Sequence, residues 1–175
     1  MMPIVYLFIL VLFLLAIISA GCDKQNQSVN IAPYPAYNYT HQLKVGGQIL
    51  MVEISTTPAQ MQEGLSDRVS MADNQGMLFD FSARGGSASG GSNAVIPAFW
   101  MKDMKFNLDF IWIAQNPSTG SGQVVGITAD APRPNSPSDP LPNFYPPEPV
   151  SQVLEVNAGW AQKNSVHVGD EVSWQ

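Results

Sequence analysis

Between Ala131 and Pro149 the chain places eight prolines in nineteen residues. Proline lacks the N–H that a helix or a sheet interior needs, so this segment is expected to wrap over the surface as a long ordered loop or flap. Any core must therefore come from short apolar runs on either side. The richest of these is Phe99 to Ile113, which packs aromatics and methionines around Lys102, Asp103, Lys105 and Asp109. From Leu108 it reads as a strand, and Ala98-Phe99-Trp100-Met101 reads the same way. The charged residues between them are expected at a bend that aims side chains at a common point. Phe79, Trp100, Phe110, Ile111 and Leu154 are expected to be buried.

The N-terminus belongs to a different regime. Met1 to Gly21 carries no charged residue, and Ile4 to Ile18 is an unbroken apolar run. Its length lies between a secretory core and a spanning helix. Two readings are open: an uncleaved anchor helix, or a lipoprotein signal ending at Cys22, the only cysteine of the chain. Ser19-Ala20-Gly21 supplies the small residues such a signal needs, although Ser19 stands where leucine is usual and no basic residue precedes Lys24. Both readings tether the protein to a membrane, and export to the extracytoplasmic side is the expectation. The division is then residues 1–22 as signal or anchor, 23–39 as linker, and 40–175 as a single domain. One cysteine excludes an internal disulfide framework. A net charge of −6 argues against a nucleic-acid partner.

Within the domain, His41–Val45, Gly46-Gly47 and Gln48–Ser55 read as a hairpin, with Leu50, Val52 and Ile54 on the purer core face. Thr57-Pro58-Ala59-Gln60 is a helix start with a capping box, and Gly64 ends that helix within two turns. Met61 and Leu65 are expected to face the core. Gly76 to Phe81 is a short strand, and Ser82 to Asn93 a glycine- and serine-rich surface loop. Gln115 to Gly122 is a polar turn leading to a strand near Gln123–Thr128. Val150–Val156 is another strand, Ala158–Lys163 one helical turn, and Val166–Trp174 closes the domain. The fold class is mainly β with one or two short helices, a small barrel-like or sandwich domain.

Gly64-Leu65-Ser66-Asp67-Arg68, Gly76-Met77-Leu78-Phe79, Phe99-Trp100-Met101-Lys102, Leu108-Asp109, Leu154-Glu155-Val156 with Gly159, and Val168-Gly169-Asp170 occur in one order. In this the chain resembles the domain of unknown function 192 family, from about Val45 to Val172. The resemblance implies a small β-rich domain, often behind a signal peptide or lipoprotein signal, and it implies no reaction. The chain departs from the family pattern at Asp103 and Met104, where Asn-Thr is usual, and at Asn107, where proline is usual.

The charged residues inside these motifs are Arg68, Lys102, Asp109 and Glu155. Two cations and two carboxylates can clamp an anionic or sugar-like ligand, and Trp100 offers an aromatic platform beside them. The competing reading is a structural network, with an internal Arg68–Asp109 or Lys102–Glu155 pair. On the first reading the protein is a tethered binding or accessory domain for a glycan, peptide or envelope component. The alternative is a hydrolase acting through Asp109 or Glu155, although no nucleophile–base signature accompanies them and His41 and His167 lie in no motif. No cofactor or metal is implied, and the methionines read as core filler.

Overall fold

Gly46 takes a left-handed φ of +56°, and the chain reverses there between β1 (His41–Val45) and β2 (Gln48–Ser55). The hairpin register runs from Val45 opposite Gln48 to His41 opposite Val52. The computed structural model describes residues 37–82, 94–116, 119 and 121–175. The expected signal or anchor segment, Cys22 and most of the expected linker lie outside those residues, as does nearly all of the expected Ser82–Asn93 loop. One compact unit spans Tyr37–Gln175.

Helix α1 (Pro58–Glu63) starts as its sequence dictates. The Thr57 hydroxyl accepts from the Gln60 N–H, the Gln60 side chain accepts from the Thr57 N–H, and Pro58 opens the helix. The chain then reaches β3 (Gln75–Asp80), which lies parallel to β2; the α1 crossover makes that direction possible. Strands β4 (Leu108–Gln115), β5 (Gly122–Ala131), β6 (Gln152–Asn157) and β7 (Glu171–Trp174) follow, with helix α2 (Trp160–Lys163) between the last two. They close into a barrel in the order β1-β2-β3-β6-β4-β5-β7.

All seven strands send residues into one apolar cluster, which fills the barrel; Leu43, Leu50, Leu78, Ile111, Val124, Leu154 and Val172 belong to it. A second cluster draws mainly on β3, β4 and β6 and on the segments laid over them. Alternation sorts the two. Leu78, Ile111 and Leu154 point into the barrel, while Phe79, Phe110, Trp112 and Val153 point outward beneath the covering layer. These three strands are thus buried on both faces, which is why they read as continuous apolar runs. Only glycine fits at position 76, since a Cβ there would lie 2.9 Å from the Glu155 carbonyl oxygen.

The proline-rich segment runs outside the barrel, as its composition requires, and touches the rest at several points: the Arg133 N–H donates to the Asn107 side chain, Pro147 lies against Gly126, and the Phe144 backbone bridges to Phe99. The segment around Phe99 differs from expectation. It is extended but forms no regular strand, pairing only at Val95–Val150 and Phe99–Phe144. Phe99 and Met101 turn inward, with the Phe99 ring 4.9 Å from Phe79 and 5.5 Å from Phe110. Trp100 lies between them on the opposite side and is 49% exposed, not buried. Phe79, Phe110, Ile111 and Leu154 are buried. Leu65 is also in the core, whereas Met61 is only partly buried.

Candidate functional site

Asp109 stands at the start of β4, wholly buried. Its Oδ1 accepts from the N–H groups of Asp130 (2.9 Å) and Gly159 (3.0 Å), and its Oδ2 from that of Ala161 (3.0 Å). Gly159 precedes α2 and has no side chain to cap it, so the Asp109 carboxylate takes that role from another strand. Trp160 and Ala161 pack into the barrel cluster. Asp109 therefore holds α2 on the barrel, and its lone pairs are committed to backbone donors.

Arg68 is likewise turned inward, at 6% exposure. Its Nη1 lies 2.9 Å from the Glu53 carboxylate and donates to the Tyr39 hydroxyl at 3.0 Å. The guanidinium stacks 3.7 Å from the centre of the Tyr37 ring. Neither of the internal pairs suggested by the motifs forms; Glu53 on β2 is the partner instead. Its period-two spacing with Ile49 and Met51 was the only sequence signal for it. Tyr37 and Tyr39, at the end of the expected linker, belong to this cluster.

The turns Ser66-Asp67 and Lys102-Asp103 are stitched together. The Ser66 hydroxyl donates to the Lys102 carbonyl at 3.0 Å, and the Asp67 N–H to the Asp103 carbonyl at 3.0 Å. Asp67 and Asp103 both adopt left-handed φ values, 60° and 58°. The Lys102 ammonium stays at the surface, 3.8 Å from Asp103.

Beside this seam a cleft of about 330 Å³ opens on the outer face of the barrel. One wall is the end of α1 with Gly64 and Leu65, and the other is Pro97 to Trp100. Phe79, Phe81, Met104 and Glu155 complete the lining, with Lys102 also contributing. Of the five candidate ligand-binding residues, Trp100, Lys102 and Glu155 meet here; Arg68 and Asp109 do not line the cleft.

Glu155 is the unusual member. It sits on β6 between Met77 and Phe110 on the neighbouring strands and is 5% exposed. Its Oε2 is sealed and has no hydrogen-bond partner. Burial pushes the carboxyl up to about 8, against the lowering pull of Arg68. At neutral pH it is chiefly the uncharged acid, carrying an O–H donor. Among the described residues no three metal-ligating side chains cluster, and no helix is long and apolar enough to cross a membrane.

The model of the DUF192 family, described as "Uncharacterized ACR", matches residues 41–174. Two solved structures are similar. One, from Sinorhizobium meliloti, is described as a "putative transcription regulator"; it is 29% identical, covers 77% of this chain and 92% of its own, with a TM-score of 0.59. The other is a protein of unknown function from Novosphingobium aromaticivorans, 26% identical over 76% of this chain and 84% of its own, with a TM-score of 0.60. A search of curated proteins finds no match.

Proposed function

The chain belongs to the DUF192 family, and from that premise we propose that it is a membrane-tethered extracytoplasmic binding domain whose cleft receives an uncharged, largely apolar group of its ligand. The observation that carries this reading is Glu155, an unpartnered acid on an apolar cleft. An orphaned buried carboxyl costs stability, and a well-packed apolar residue would remove that cost. Its retention makes sense where the side chain turns toward the cleft it lines and a ligand group completes the hydrogen bond. Trp100 on the rim, half exposed, adds an aromatic surface beside it. Of glycan, peptide and envelope component, the mostly apolar walls favour a peptide side chain or lipid-like group over a bare sugar.

Hydrolysis is less well supported. Asp109 is occupied by three N–H donors, and the Ser66 hydroxyl on the cleft is engaged with the Lys102 carbonyl. Glu155 thus lacks the second carboxylate or activated nucleophile that a hydrolase needs. The regulator description of the Sinorhizobium relative also transfers poorly, since 8 Lys and Arg face 14 Asp and Glu. The tether rests on the apolar run before Cys22.

The test is equilibrium binding of short apolar peptides and methyl glycosides to the full-length protein, followed by tryptophan fluorescence. Trp100→Ala should melt near the parent and Glu155→Gln at or above it at neutral pH, and both should weaken whichever ligand binds by tenfold or more. A ligand held equally by parent and both variants would place the binding site elsewhere.

A further inference from the structure

The extended strip from Ala94 to Met101 is paired along one edge only. Val95 exchanges two hydrogen bonds with Val150, both 2.8 Å, and Phe99 exchanges two with Phe144, 2.9 and 2.8 Å. Pro97 lies between them on that same edge, where its missing N–H breaks no further pair. By the alternation of an extended chain, Ile96, Ala98 and Trp100 direct their N–H and C=O groups to the opposite edge. None of these groups has a hydrogen-bond partner among the described residues. Ile96 is 60% exposed and Trp100 49%. An unpaired edge carrying exposed apolar side chains is a template for another strand.

The edge also borders the cleft, because Ala98 and Trp100 line it. We propose that an extended peptide adds to the free Ile96–Trp100 edge as a further strand and seats one uncharged apolar side chain in the cleft above Glu155. This rests on the reading of the cleft as a ligand site and names its ligand class. The alternation of the added strand matches the surface. Residues on the Phe99 side drop toward Phe79 and Glu155, while those on the other side lie beside Ile96 and Trp100. The charges at the cleft are of both signs, Lys102 and Glu63, while Phe79, Phe81, Phe99 and Met104 make its walls apolar. An uncharged inserted side chain therefore fits the walls, and the flanking residues of the peptide remain beside the two charges. Backbone pairing supplies affinity in such a mode, and the pocket supplies the choice of side chain.

The probes are fluorescein-labelled hexapeptides alternating threonine with a central leucine, phenylalanine or methionine, each with a backbone N-methylated twin. Binding to the full-length protein is read by fluorescence anisotropy, for the parent, Ala98→Pro, Trp100→Ala and Glu155→Gln. At least one peptide should bind saturably. N-methylation and Ala98→Pro should each weaken it at least tenfold, since both delete edge hydrogen bonds. The twins report on pairing even if Ala98→Pro fails to fold. If no peptide binds, or if the best binder ignores both changes, strand addition is overturned. In that case a ligand still lost in Trp100→Ala and Glu155→Gln leaves the cleft reading standing. A peptide sensitive to Ala98→Pro but indifferent to both cleft substitutions overturns both.

Discussion

The Arg68 guanidinium lies 2.9 Å from the Glu53 carboxylate, and this contact joins the turn after α1 to strand β2. The Glu53 side chain keeps 25% exposure against 7% for Arg68, so water still reaches one partner. Arg68→Met leaves Glu53 without its cation and the Tyr39 hydroxyl without its donor. We expect a loss of about 2–3 kcal/mol, below the range for a fully buried pair because of that residual solvation. Lys102→Met should change stability by no more than about 0.5 kcal/mol. Urea unfolding of the two variants measures the contrast, and equal losses would contradict it.

Asp109 carries a larger share of the fold than its position in a short motif suggests. Asp109→Ala strands the N–H groups of Asp130, Gly159 and Ala161, two of them at the start of α2. The expected cost is about 3–5 kcal/mol, since several buried donors lose their acceptor together. Hydrogen exchange at Ala161 should rise in the partially destabilised Asp109→Asn variant. Unchanged protection there would remove Asp109 from the role of cap.

Glu155 sets a pH dependence of unusual sign for a carboxyl group. Its ordinary value is 4.5, and in the folded protein it is raised to about 8. Between those values the native state holds a proton that the unfolded chain releases, so stability falls as pH rises. The stabilising contribution is complete below the lower value and lost as pH passes the upper one. Its size is on the order of a few kcal/mol across that window. The difference in unfolding free energy between the parent and Glu155→Gln should shift accordingly from acid to alkaline pH. A pH-independent difference would show that Glu155 ionises normally.

Replacing the acid by an apolar side chain tests why it is there. Glu155→Met removes a sealed oxygen that has no partner and keeps the volume. The variant should gain about 1–2 kcal/mol at neutral pH while losing ligand. A destabilised Glu155→Met would mean that the carboxyl supports the fold and not a site.

The proposed tether has its own measurement. Cys22→Ser should abolish palmitate labelling and leave an unprocessed precursor. A parent protein that never takes up label, yet stays with the membrane fraction, would be anchored by the uncleaved apolar run instead.

Much of this protein was legible residue by residue. The hairpin at Gly46-Gly47, the Thr57–Gln60 capping box and the exclusion of the proline-rich segment from the sheet all follow from neighbours in the chain. So does the mainly-β character, because period-two alternation and turn residues act over a few positions. Trp100, expected in the core, is half exposed for a related reason. Apolar character says that a side chain prefers burial, but the register of an extended segment decides which of two neighbours receives it, and Phe99 did.

Neighbouring residues thus dictated the local menu: strands, caps, turns and the family pattern that orders them. Closure into a barrel was decided only in three dimensions, as were the Glu53–Arg68 pairing, the commitment of Asp109 to α2 and the isolation of Glu155 beside an apolar cleft. Each of these depends on residues from distant parts of the chain meeting in a low-dielectric interior. There the same carboxyl group is a satisfied cap at Asp109 and an unpartnered acid at Glu155, according to which N–H groups the fold delivers to it.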